Sequence, residues 1–129
     1  MKTVLLVEDD FEIRDILQDL LEAEGYDVIP AGNGRQALQF LAENRAAGPD
    51  LVILDIMMPM IDGRQVLEVM QRDQALAEIP VIVISAIARE TPVGARALLK
   101  KPFSLEKLFR TVRIYTDEPP HPGEAGTIH

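Results

Sequence analysis

Glu8 with Asp9, Asp55, Ser85 and Lys101 share one feature: each closes or directly follows a short apolar run, respectively VLLV, LVIL, VIVI and LLK. If those runs are neighbouring strands of one sheet, the polar residues meet at one edge of it. Carboxylates crowded within a few ångströms repel one another, and some would hold protons unless a cation compensates them. Mg²⁺ suits such a place, because it takes a few carboxylate and carbonyl oxygens and keeps several waters. Lys101 adds a fixed positive charge and Ser85 a hydroxyl. A cation, an ammonium and a hydroxyl around one carboxylate form a clamp for the equatorial oxygens of a phosphoryl group. Asp55, at the end of the most apolar run, is then the nucleophile, and the product is an aspartyl phosphate. The chain lacks a Gly-x-x-x-x-Gly-Lys sequence, so the chemistry is phosphoryl capture rather than the cradling of a nucleotide.

The elements that must position these residues are legible from periodicity. Strands are expected over residues 3–7, 26–30, 51–54, 80–84 and 98–100, with Pro30 marking the second as an edge. Ile13, Ile16, Leu17, Leu20 and Leu21 recur at helical spacing and predict one inward-facing stripe, started by Asp9 or Asp10 and stopped by Gly25. Further helices carry Ala37, Leu38 and Leu41, then Val66, Leu67 and Met70, then Leu105, Leu108, Phe109 and Val112 behind Ser104. Strands alternating with helices predict a doubly wound α/β fold, a parallel sheet with helices on both faces. Ligands of such sheets bind beyond the carboxyl ends of the strands. Between the fourth and fifth strands only residues 86–96 remain, with Pro92 and Gly94 among them, so the fourth helix is expected to be short or absent. Residues 1–115 are read as one domain and 116–129 (TDEPPHPGEAGTIH) as a disordered C-terminal tail.

Composition narrows the function. The 129 residues carry a net charge of −8, which argues against a nucleic-acid partner and against docking on anionic lipid. There is no cysteine, and the two histidines lie in the last nine residues, which excludes thiolate chemistry and disfavours His-based metal or hydrolase sites. The start MKTVLLVEDD is too short in apolar residues for a secretory signal, and no run approaches a membrane span. A cytoplasmic protein is expected. Gly32-x-Gly34-x-x-Ala37 imitates a dinucleotide fingerprint, but it follows an edge strand and has no second nucleotide-binding half.

The segments VLLVEDD, DLVILDIMMPMIDG, PVIVISA and LLKKPFS, in this order, resemble the four signature blocks of bacterial response-regulator receiver domains, over roughly residues 2–114. The resemblance implies a flavodoxin-like five-stranded parallel sheet of order 2-1-3-4-5. It implies Asp55 as phosphoacceptor and Glu8, Asp9, Asp55 and the backbone carbonyl of Met57 around Mg²⁺, Asp9 directly and Glu8 through water. It further implies Ser85 and Lys101 as the phosphate-binding switch residues and a cis peptide bond between Lys101 and Pro102. The expected role is a stand-alone phosphoacceptor switch of a two-component system or phosphorelay, fed by a histidine kinase or histidine phosphotransfer protein. It would signal through contacts with an unknown downstream protein, or through a homodimer, and would not be a turnover enzyme.

Three departures stand beside the resemblance. The fourth crossover is stunted, and Leu98 occupies a place where many receivers carry Tyr or Phe; both fall on the usual output face. Met57 and Ile87 are apolar where polar residues would position an attacking water, so a slowly hydrolysing aspartyl phosphate is expected. Two alternatives remain open at this point: a phosphorylation-independent binding module, and a Mg²⁺ phosphohydrolase with an aspartyl nucleophile. The second is disfavoured because Met57, not Asp, follows two residues after Asp55.

Overall fold

The computed structural model describes residues 1–56 and 63–117. Five strands form one parallel sheet of order β2-β1-β3-β4-β5: β1 Thr3–Val7, β2 Asp27–Ala31, β3 Leu51–Asp55, β4 Val81–Ser85 and β5 Ala97–Lys100. Successive side chains of a strand point to opposite faces, and the core divides accordingly. Leu5, Val7, Val52, Leu54, Val81 and Val83 pack under α2 (Gly34–Glu43) and α3 (Gly63–Arg72). Val4, Leu6, Leu51, Ile53, Ile82 and Ile84 pack under α1 (Phe11–Ala23) and α5 (Leu105–Thr116). Both faces of β3 are covered, which is why its sequence is apolar without alternation.

The expected fold class and order hold, and Pro30 does sit on an edge strand, opposite Leu6 in register. Local signals account for the helix ends. The Asp10 side chain accepts from the Glu12 and Ile13 amides, Ser104 accepts from Lys107, and Gly25 at φ 95° ends α1 with Tyr26 N–H reaching back to Leu21. Residues 86–96 contain no helix, as the stunted spacing anticipated.

Four expectations need correction. Asp55 and Ser85 are the last residues of β3 and β4 rather than the first beyond them. Of the stripe on α1 only Leu17 and Leu21 are buried; Ile13 is 37% and Ile16 58% exposed, because the sheet covers a band narrower than the apolar spacing suggests. An unforeseen single turn, α4 (Gln74–Ala77), follows α3, capped by Asp73 and anchored by buried Leu76. Thr116, placed in the tail by the boundary at 115, closes α5: it is buried, and its hydroxyl meets Val112 O and the Tyr26 hydroxyl. Asp117 caps α5, its N–H donating to Arg113 O; residues 118–129 of the expected tail, and Met57, lie outside the described residues. Among the described residues no helix is long and apolar enough to cross a membrane.

Candidate functional site

β1 and β3 are neighbours, Val7 pairing with Leu54 in register, so the residues at their carboxyl ends emerge side by side. β4 lies beyond β3 and β5 beyond β4, placing Ser85 and Lys101 along the same edge. The result is a cluster in which carboxylate oxygens of Glu8, Asp9 and Asp55 all lie within 4.8 Å of one another. Glu8 and Asp55 are buried, 1% and 4% exposed, while Asp9 faces solvent.

Lys101 bridges the two buried acids, its Nζ 3.2 Å from Glu8 Oε1 and 3.2 Å from Asp55 Oδ2. One ammonium does not neutralise three carboxylates, and Glu8 carries the strain. Burial first, then its hydrogen bond with Asp55 and that neighbour's like charge, push the Glu8 carboxyl up to about 7. The attraction of Lys101 and the Asp10 N–H, which donates to Glu8 Oε2 at 3.3 Å, oppose that shift without overcoming it. At Lys101 burial works against the charged form, but Asp55 and Glu8 outweigh it and hold the ammonium above the ordinary lysine value.

Hard oxygen donors, converging geometry and surplus negative charge fit a divalent cation such as Mg²⁺. Glu8, Asp9 and Asp55 are the described residues that could hold it; the Met57 carbonyl, expected as a further ligand, lies outside the described residues. Ser85 is fully buried, and its Oγ accepts from the amides of Ile87 at 3.1 Å and Ala88 at 3.0 Å. Because the oxygen serves as acceptor, its proton remains available for donation to a ligand. The Lys101–Pro102 peptide bond is cis, and the Lys101 N–H donates to Ser85 O at 2.9 Å, tying the two residues together through the backbone.

Two participants escaped the reading of motifs. Gly63 opens α3 against the end of β3; a Cβ there would fall 2.7 Å from Asp55 O and 2.5 Å from Ile56 Cα. Only glycine allows that approach, and the Asp-Gly turn signal at 62–63 hinted at it. Arg14, the sole basic residue of α1, donates from Nη1 to Glu8 O at 2.8 Å. No motif or spacing in the sequence signals that contact.

The chain's relatives are consistent with this arrangement. Residues 4–113 match the family described as response regulator receiver domain. The polar-differentiation response regulator DivK of Brucella anthropi is 35% identical over 120 residues, spanning 88% of this chain and 95% of that protein. Among solved structures, the receiver domain of the hybrid histidine kinase CckA superposes with a TM-score of 0.75 at 34% identity, over 89% of this chain and 99% of that one. The response regulator TrrA of Thermotoga maritima, solved in complex with Mg²⁺-BeF, superposes with a TM-score of 0.78 at 30% identity, over 89% and 99% of the respective chains.

Proposed function

Because this chain belongs to the response-regulator receiver family, the phosphoacceptor switches of two-component signalling, we propose that Asp55 is the side chain it phosphorylates. The convergence of Glu8, Asp9 and Asp55 beside Lys101 carries this assignment. An Asp55 carboxylate oxygen attacks phosphorus of a phosphohistidine; the P–O bond forms as the P–N bond breaks, and the imidazole nitrogen keeps the electron pair. Mg²⁺ held by Glu8, Asp9 and Asp55 would neutralise charge on the phosphoryl oxygens. Lys101 exchanges its contact with Asp55 for one with a phosphoryl oxygen, and Ser85 Oγ–H donates to another.

The donor is a histidine kinase or histidine phosphotransfer protein, a reading that membership of the response-regulator receiver family supports. A pocket of about 460 Å³ opens beside Lys101 between α1 and the loop after β5, lined by Ile13, Leu17, Ile84 and Phe103 among others, and gives the donor an apolar seat. The protein is a signalling switch and not a metabolic enzyme; its own chemistry is phosphoryl capture followed by slow hydrolysis. Ile87, 62% exposed two residues past the end of β4, supports slow hydrolysis because its side chain offers an attacking water no hydrogen bond.

Incubation with acetyl phosphate and Mg²⁺ tests the reading through the intact mass. A stoichiometric gain of about 80 Da, one phosphoryl group, is expected for the wild type and none for Asp55→Ala. Its decay after removal of the donor should take longer than minutes. Absence of an adduct without phosphate release would favour a phosphorylation-independent binding module, and catalytic phosphate release would favour a hydrolase.

A further inference from the structure

Glu8 is the first residue beyond β1, past the last ladder pair of Val7 with Ala31, yet its carboxylate must stay turned toward a neighbour that repels it. The peptide units on the two sides of its Cα are each held. The Glu8 N–H donates to Ala31 O at 3.0 Å, and its carbonyl accepts from Arg14 Nη1 at 2.8 Å. The guanidinium reaches that carbonyl across the backbone just after β2, where Gly32 leaves room: a Cβ at position 32 would lie 3.2 Å from Arg14 Nη1 and 3.4 Å from Gln36 Oε1. Gln36 holds this backbone in place by accepting from the Gly32 N–H at 2.7 Å.

We propose that Arg14 is a positioning residue of the cation site: passing over Gly32, it fixes the Glu8 peptide so that the Glu8 and Asp9 carboxylates remain aimed at Asp55. The role rests on the reading of the acidic cluster as a Mg²⁺ site. Arg14 touches neither a phosphoryl group nor an ion in this scheme; it acts through the backbone of a ligand. Groups that orient metal ligands from behind commonly change metal affinity by about 10–100-fold when removed. A guanidinium that merely tied α1 to the sheet would instead change stability and leave the affinity alone.

The test is calorimetric titration of the full chain with Mg²⁺, alongside amide exchange of Asp9 and Asp10 in the metal-free protein. Arg14→Met should weaken Mg²⁺ binding by about tenfold and speed exchange at both amides, and Arg14→Lys, which restores one donor, should recover most of the loss. Gly32→Ala, which crowds the guanidinium, should weaken binding in the wild type but add nothing in the Arg14→Met background. An Arg14→Met protein that binds Mg²⁺ within about twofold of wild type, or a Gly32→Ala loss that persists in full without the guanidinium, overturns the role of Arg14. Should Arg14→Met not fold, Gly32→Ala decides: wild-type Mg²⁺ affinity in that variant overturns the role as well. Wild-type protein that takes up no Mg²⁺ at all sinks the cation-site reading itself, a result distinct from either.

Discussion

Glu8 makes the pH dependence of this protein the reverse of that given by a carboxylate stabilised in a salt bridge. Its carboxyl is pushed up to about 7 from an ordinary 4.5, chiefly by burial. Between those values the folded protein holds a proton that the unfolded chain has released. Stability of the metal-free protein therefore falls as pH rises from about 4.5 to about 7 and stays low above that. At 1.36 kcal/mol per unit the ceiling is about 3 kcal/mol. Glu8→Gln removes the penalty while keeping the shape, so the variant should be more stable at pH 7.5 by about 1–3 kcal/mol and should lose most of the slope. Urea unfolding in EDTA at pH 5 and 7.5 measures both. A variant with the wild-type slope would place the pH dependence elsewhere. The destabilised acid is the useful one, because a bound cation relieves what burial imposes.

At the scale of elements, the stunted fourth crossover is where this chain departs from the regular alternation of strand and helix. Residues 86–96 return to β5 without a helix, held by the Ser85 hydroxyl at one end and by the Arg96 N–H on Val81 O at the other. Gly94, at φ 96°, turns the segment onto α3, where a Cβ would meet Gln71 Nε2 and Cδ, the latter at 2.6 Å. Gly25 has nearly the same φ, 95°, with nothing within 4 Å. Gly25→Ala should cost the left-handed strain alone, about 1–2 kcal/mol. Gly94→Ala should exceed it by the work of displacing Gln71, with Mg²⁺ affinity unchanged. Equal losses in thermal unfolding would mean that Gln71 moves freely and does not hold the crossover. This region also marks what was legible in the sequence. Length, Pro92 and Gly94 were enough to deny residues 86–96 a full helix, and the runs before Glu8, Asp55, Ser85 and Lys101 were enough to bring those side chains to one edge. Ile13 and Ile16 misled, since spacing reveals a helix's apolar side but not how wide a band its partner covers. Arg14 was illegible for another reason: its bond to Glu8 O depends on how closely the β2–α2 turn passes, which no spacing encodes.

The whole molecule is unevenly charged, and that bears on how the site fills. Residues 89–113 hold Arg89, Arg96, Lys100, Lys101, Lys107, Arg110 and Arg113 against only Glu90 and Glu106, within a chain of net charge −8. The acids are thereby concentrated elsewhere, Glu8, Asp9, Asp10 and Asp55 among them at the carboxyl edge of the sheet. A low-dielectric rim where one sign of charge predominates, here four acids around Lys101, raises the local concentration of the opposite ion. Two consequences can be separated. Binding of Mg²⁺ to the folded state alone stabilises it by RT ln(1 + [Mg²⁺]/Kd), about 2.7 kcal/mol at a hundredfold excess over Kd. Tm should rise with log[Mg²⁺] in the wild type and hardly at all in Asp9→Asn, whose remaining carboxylates are the two buried ones already bridged by Lys101. The long-range field, by contrast, is screened as the Debye length shrinks from about 10 Å at 0.1 M salt to about 3 Å at 1 M. Affinity should therefore drop several-fold over that range in NaCl, while the Asp9 dependence persists. A Tm that climbs equally in the wild type and Asp9→Asn would mean that the ion is held by diffuse charge. The convergence of three carboxylates would then have no part in binding, and the phosphoryl capture built on Asp55 would lose its support.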